Sequence, residues 1–299
     1  MTTATALRTA ARWHRPLLVL TAGMAVFALV TAVGIVADHR VITGAPAWLK
    51  PFKFSVSFAV YGLTLAWMLS ILPRRSRAGE WAAVAIVGVA FVEVGIIVLQ
   101  AARGTTSHYN ETSPLNAALW QAMGMAILVL FLAHAVIAIV AVRQKIKDRA
   151  NAYAIRLGLG LSLLGMLAAV PMVLPGQAPA GVDDITGAHS VGVPDGGPGL
   201  PLTGWSTTGG DLRIGHFVGL HALQALPLLA FLLGRTSLDG IRRARLLLVA
   251  GGAYGVLTVL LTWQALRAQP LLHPDALTLG AWAALAAATA TATALVLKK

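Results

Sequence analysis

Eight apolar stretches, each close to the length of a bilayer crossing, dominate this chain: 16–37, 54–72, 81–102, 117–142, 152–174, 214–234, 246–268 and 276–297. About 20 apolar residues in an α-helix cover the roughly 30 Å of a bilayer's hydrocarbon, and in hydrocarbon only a helix or a closed barrel satisfies its own backbone. The stretches predict an all-α fold, a polytopic transmembrane helical bundle forming one integral membrane domain over 1–299. Composition agrees, since 57% of the 299 residues are hydrophobic and 11% are charged, against about 25% charged in soluble domains. Disorder, a coiled coil and an ordinary soluble enzyme are thereby excluded. The first stretch follows Arg8, Arg12 and Arg15, yet it is long for a signal-peptide core and another span succeeds it, so it reads as uncleaved.

A net charge of +12 would suggest nucleic acid as a partner of a soluble protein; the distribution argues against that here. With the N-terminus inside, the cytoplasmic segments hold Arg8, Arg12 and Arg15; Arg74, Arg75 and Arg77; Arg143, Lys145, Lys147 and Arg149; Arg235, Arg242, Arg243 and Arg245; and Lys298 and Lys299. The outer segments hold only Arg40, Lys50, Lys53, Arg103, Arg213 and Arg267, with most of the acids, among them Asp183. That is the positive-inside pattern, placing both termini in the cytoplasm of a plasma membrane. The expected partner is the lipid bilayer, with no nucleic acid; a small-molecule or protein partner is left open. Cysteine is absent, which excludes disulfides, thiolate zinc sites and covalently attached haem.

The cytoplasmic connections are short and basic, whereas the outer ones carry the polar variety. The long outer loop 175–213 is rich in glycine and proline, and its Leu200, Leu202 and Trp205 suggest that it folds back on the outer surface. No internal repeat is evident, so an inverted-repeat transporter gains no support.

Ionisable groups inside spans are costly and are functional candidates by default. Glu93 shares a helical face with Ile97, Gln100 and Gly104 in the third span. His216, His221 and Gln224 lie in the sixth. At about 1.5 Å per residue, Glu93 and His221 sit at similar depth, roughly 12–14 Å in. Arg103, His108 and Asn110 at one outer end, with Asp211 and Arg213 at the other, complete a candidate polar site between spans three and six. Interhelical packing by hydrogen bonds is the structural alternative for Glu93 and His221. His216 and His221 are five residues apart, about 140° around a helix, which disfavours joint ligation of one small metal ion. His134, on an apolar face, reads as structural and bonded to a backbone carbonyl, with a haem-ligand or relay role as the alternative. His39, His189 and His273 read as solvated loop residues, and Lys50 and Lys53 as cations snorkelling to headgroups, unless one turns inward toward an anion.

Three segments carry a resemblance: Trp48-Leu49-Lys50-Pro51-Phe52-Lys53-Phe54; Gln100-Ala101-Ala102-Arg103-Gly104 through Ser107-His108-Tyr109-Asn110; and Gly210-Asp211-Leu212-Arg213 through His216-Phe217 to His221-Ala222-Leu223-Gln224. Together they resemble an uncharacterised family of bacterial multi-pass membrane proteins, over spans two to six. The resemblance implies a bacterial membrane location and carries no activity.

Three functions fit these residues. The first is a cofactor-binding redox protein holding b-type haem or a metal ion on His216 or His221, helped by Glu93 or His108. The second is a carrier or channel for a small solute or protons, with Glu93 and His221 titrating and Arg103 or Arg213 clamping an anion. The third is a non-catalytic membrane subunit or sensor.

Overall fold

The computed structural model describes residues 13–174 and 184–298. Arg8, Arg12, Asp183, Lys299 and the loop stretch 175–183 lie outside the described residues. The chain divides into two compact units, Met1–Lys145 and Ile146–Lys299. The first holds helices α1 (Arg15–Ala37), α2 (Leu49–Ile71), α3 (Arg77–Ala102) and α4 (Pro114–Arg143), with a small antiparallel pair, β1 (Val41–Ile42) and β2 (Ala45–Pro46), between α1 and α2. The second holds α5 (Arg149–Leu167), a 3-10 turn at Val170–Val173, strands β3 (Ser190–Val191) and β4 (Gly210–Asp211), then α6 (Leu212–Leu233), α7 (Gly240–Leu266) and α8 (Ala276–Lys298). Eight helical segments, α5 counted with its 3-10 turn, are long and apolar enough to cross a membrane. Large apolar side chains such as Leu29, Val36, Phe91, Leu132 and Leu228 stand exposed along them. This is the architecture of a multi-pass membrane protein, an all-α bundle as expected.

Polar caps set where the helices begin, so several start before their apolar runs do. His14 Nδ1 accepts the Leu17 amide, with Pro16 in the first turn. Ser76, Ser113, Asp148 and Asp239 cap α3, α4, α5 and α7 through their side-chain oxygens, satisfying amides that have no helical partner. As a result α3 starts at Arg77 and α7 at Gly240, ahead of the expected 81 and 246, while α2 starts at Leu49 rather than 54 with no side-chain cap. The span expected over 152–174 is interrupted: α5 stops at Leu167 and Pro171 lies in the 3-10 turn, because proline cannot donate and its ring blocks the preceding turn. Pro227 is accommodated inside α6 and buried.

Packing relies on small residues. Lipid tails are as apolar as leucine, so close contact, not hydrophobic burial, joins helices in a bilayer. In the second unit Gly165 of α5 and Gly219 of α6 meet backbone to backbone, leaving no room for a Cβ on either. A Cβ on Gly158 would lie 3.2 Å from the Ala222 carbonyl oxygen. The Tyr254 hydroxyl donates to the Val218 carbonyl at 2.6 Å, tying α7 to α6. In the first unit Gly62 of α2 faces Thr21 of α1, and the Thr21 hydroxyl donates to Ala59 O.

The two units repeat one plan, which corrects the expectation of no repeat. In the first the principal packed pairs are α1–α2, α2–α3, α1–α3 and α3–α4; in the second they are α5–α6, α6–α7, α5–α7 and α7–α8. The match reaches single residues. Gln100-Ala101-Ala102-Arg103 ends α3, and Gln264-Ala265-Leu266-Arg267 ends α7. Gly104 and Ala268 then both take positive φ, 73° and 56°, and Thr105 N and Gln269 N return to the carbonyls of Gln100 and Gln264, closing the same left-handed helix cap. Next, Ser113 caps α4 through Asn116 N and Asp275 caps α8 through Thr278 N, each followed two turns later by a tryptophan, Trp120 or Trp282. Likewise α2 opens Leu49-Lys50 and α6 opens Leu212-Arg213, with Lys53-Phe54 and His216-Phe217 in register.

Gly219→Leu is expected to destabilise the purified protein by about 1–3 kcal/mol or more through overpacking, lowering its thermal midpoint. Gly23→Leu, where an added Cβ meets nothing within 4 Å, should leave the midpoint unchanged. A second expectation concerns His14, which is buried and lies before the first residue of α1. Burial lowers its imidazole from the ordinary value, Glu80 opposes this, and Arg75 adds to the lowering. As pH falls below about 6.5, the unfolded chain takes up the proton before the fold does. The stability from the neutral cap is therefore present above that pH and lost as pH falls through the folded value. Hydrogen exchange at the Leu17 amide, corrected for intrinsic rate, should speed up at about pH 5, and His14→Asn, a cap at every pH, should abolish the change.

Candidate functional site

At the end of the first unit that carries the loops 38–48 and 103–113, the last turn of α3 and the first turn of α4 build a closed polar network. Gln100, 1% exposed, donates through Nε2 to Thr106 O and to Asn116 Oδ1, at 3.3 and 3.0 Å. Arg103 Nη1 donates to Gln100 Oε1 at 2.6 Å and to Asn116 Oδ1 at 2.8 Å. Asn116 Nδ2 reaches Thr112 Oγ1; Thr112 in turn donates to Asn110 Oδ1, and Asn110 Nδ2 donates to Thr105 Oγ1 and Thr106 O. A network so fully bonded holds its members in one geometry. Arg103 is its one charged member, and it is exposed. Beside it, Arg40 donates to Ala102 O and forks onto Asp38, whose carboxylate also accepts from Trp48 Nε1. Those bonds from Arg40, and then from Trp48, hold the Asp38 carboxyl well below the usual range.

Glu93 lies nine residues below Ala102, roughly 13 Å in at about 1.5 Å per residue. It falls with Ile97 and Gln100 on the buried stripe of α3, as expected, whereas Gly104 lies past the helix end. Glu93 is 1% exposed, and its Oε1 makes no hydrogen bond among the described residues. Lys50, in the first turn of α2, is close enough to act on it electrostatically. Above Glu93, Ile96, Ile97 and Met123 form an apolar cluster with Phe54, Leu119 and Trp120. The repeat sharpens the point: seven residues before Gln100 stands Glu93, but seven before Gln264 stands Leu257. The shared helical plan does not call for a carboxylate there.

His108 sits among Phe54, Tyr109 and Trp120, with ring centroids 5.5–6.0 Å away, and Ser107 Oγ bonds its Nδ1. Tyr109 takes φ 58° to enter this cluster. His134, fully buried, has its Nδ1 2.6 Å from the hydroxyl of Tyr61, a side chain of α2.

In the second unit the candidate residues serve mainly to fix the loop and the helix pair. Asp211 is wholly buried; it accepts from Ser206 N, from Arg213 N and from the Arg213 guanidinium, whose Nη2 lies 2.5 Å away and also donates to Gly204 O. Arg213 is thus neutralised inside its own loop. His189 is no solvated residue: its Nδ1 lies 2.6 Å from Asp195, which also accepts from His189 N and Ser190 N. Burial alone would push the Asp195 carboxyl up, and these bonds outweigh it, holding it well below the usual range. Leu202, expected to help anchor the loop, is 81% exposed. His39 and His273 are exposed.

His216 Nδ1 lies 2.7 Å from Gly165 O, a carbonyl in the last turn of α5 that has no amide of its own helix to accept. His221 is exposed and bonds Gln224; it stands two residues from Gly219, about 200° round the helix, and so faces away from the α5 contact. Glu93, Gln100, Arg103, His108 and Asn110 belong to the first unit, and Asp211, Arg213, His216, His221 and Gln224 to the second. No group of three or more metal-ligating side chains occurs among the described residues.

No protein-family model, curated protein or solved structure matches the chain.

Sequence reasoning missed Asn116, which ties Gln100 to Arg103, and Tyr61. Asn116 looked like a loop boundary, and only its N-cap pattern, Ser-Pro-Leu-Asn, hinted that it opens a helix. Asp211→Asn should lose the charge-assisted bonds to Arg213 and loosen the loop 184–210, at about 1.5–3 kcal/mol. Limited proteolysis is expected to cut that loop faster in the variant, with the transmembrane helices unaffected.

Proposed function

We propose that this protein is a proton-coupled carrier or proton channel of the bacterial plasma membrane, with both termini cytoplasmic and Glu93 as the group that binds and releases the proton. The observation that supports this reading is a buried carboxyl with an unbonded oxygen at a depth where the companion unit places Leu257. An isolated carboxylate in an apolar interior is expensive, and the cost is lowered either by a bound proton or by a cation such as Lys50. Exchange between those two conditions is the elementary step of proton coupling, and intramembrane carboxyls are the usual place for it. The basic cytoplasmic connections support the orientation, and the resemblance of the three segments to bacterial multi-pass proteins supports the membrane. The metal reading is less well served, because no group of three or more metal-ligating side chains occurs among the described residues.

The test uses purified protein in vesicles holding a pH-sensitive dye, with a potassium diffusion potential imposed. Wild-type vesicles should move protons about tenfold or more faster than Glu93→Gln vesicles, and Glu93→Asp should keep part of the rate. In infrared titration a protonated-carboxyl band should be present in the wild type and missing from Glu93→Gln. A wild-type rate equal to that of protein-free vesicles, or to that of Glu93→Gln, refutes the reading.

A further inference from the structure

The two copies of the Gln-x-x-Arg cap differ in one chemically decisive place. In the second unit Arg267 forks onto Asp275, with Nη1 to Oδ1 at 3.0 Å and Nη2 to Oδ2 at 2.6 Å, while Nη1 also donates to Thr278 Oγ1. Gln264 stands behind it, donating to Pro270 O and Leu271 O and accepting from Trp282 Nε1. Asp275 is the cap of α8, and the fork from Arg267 holds its carboxyl well below the usual range. In the first unit every part has its counterpart except the acid. Gln100 answers Gln264, Arg103 answers Arg267, Asn116 answers Thr278, Trp120 answers Trp282, and the residue answering Asp275 is Ser113.

The consequence is electrostatic. The bonds of Arg103 within the protein run from Nη1 to two neutral amide oxygens, which orient the guanidinium without cancelling its charge. Gln100 and Asn116, both buried and bonded through both the oxygen and the nitrogen of their amides, fix that Nη1, so the outer edge of the fork is presented in a set direction. A planar guanidinium held this way matches two oxygens of one oxyanion. The chain itself displays such a pairing in the Arg267–Asp275 fork. Arg40, next along this surface, is already neutralised by Asp38, and Arg213 by Asp211.

We propose that Arg103 is an anion-recognition residue, binding the carboxylate or phosphate group of a ligand where the second unit binds its own Asp275. The ligand is a membrane-soluble or aqueous oxyanion: a lipid headgroup phosphate or a free phosphate or carboxylate. The inference stands apart from the proton role of Glu93 and is read by binding alone.

The experiment follows the thermal midpoint of the full chain in phosphatidylcholine nanodiscs against inorganic phosphate or acetate at constant ionic strength, and separately in nanodiscs with phosphatidylglycerol. Ligand that binds only the folded protein raises the midpoint with concentration. Wild type is expected to respond to one of these anion sources; the free anion alone assigns an aqueous ligand, and phosphatidylglycerol alone assigns a headgroup. Ser113→Asp installs the internal acid of the second unit, so it should fold at least as stably as wild type without anion and show an affinity lower by about tenfold or more. Arg103→Gln should lose the response as well. Asp275→Ser, the reverse exchange, should add a second response. A wild type that responds to neither source, or a Ser113→Asp protein that responds as the wild type does, overturns the proposal.

Discussion

Inside hydrocarbon a polar group has no partner except one the chain supplies, and the arrangement of this protein follows from that shortage. Each helix satisfies its own backbone over its length, and caps such as Ser113, Asp148 and Asp239 supply what the first turns lack. Where a helix must stop early, as α5 does before Pro171, a side chain from a neighbour takes over, and His216 serves the Gly165 carbonyl. Such a bond needs the backbones to be near, which is why glycine rather than leucine stands at the α5–α6 contact.

Against that background the groups left incompletely served are the informative ones. Most charges at the loop ends are internally matched: Asp38 with Arg40, Asp195 with His189, Asp211 with Arg213, Asp275 with Arg267. Such pairs hold loops in place and leave little for a ligand. Glu93 and Arg103 depart from the pattern in opposite ways, one a buried carboxyl short of a hydrogen bond, the other an exposed guanidinium steadied by neutral amides. Both sit in the first unit, and at both places the second unit carries the residue that removes the peculiarity, Leu257 or Asp275. Two copies of one plan thus provide an internal reference for what packing alone requires.

The candidate site was partly legible before any coordinates. Glu93, Gln100 and Arg103 stood out because polar residues at helical spacing in an apolar run are rare and share a face. His221 stood out for the same reason, but spacing along one helix does not say which face meets a neighbour; at the α5–α6 contact Gly219 and Gly165 decide that by allowing close approach only on their side. His189 was mistaken for a solvated residue because Asp195 reaches it across a turn of irregular loop, where no periodicity exists to read. The repeat was hidden by substitution: apolar residues interchange freely along lipid-facing helices, and only the capping residues, which must meet particular amides and carbonyls, kept the register visible.

From its sequence alone this chain was bound to be a bundle of eight apolar helices, because hydrocarbon admits little else from stretches of that length and composition, and its basic connections point to one orientation. Which helices pair, that they do so twice on one plan, and which polar groups are spent on structure were decided by tertiary contact. The reason is one of scale: partition into a bilayer sums over twenty residues and survives most substitutions, whereas a hydrogen bond such as Arg103 to Asn116 depends on two helix ends arriving within 2.8 Å, which no single stretch of sequence specifies.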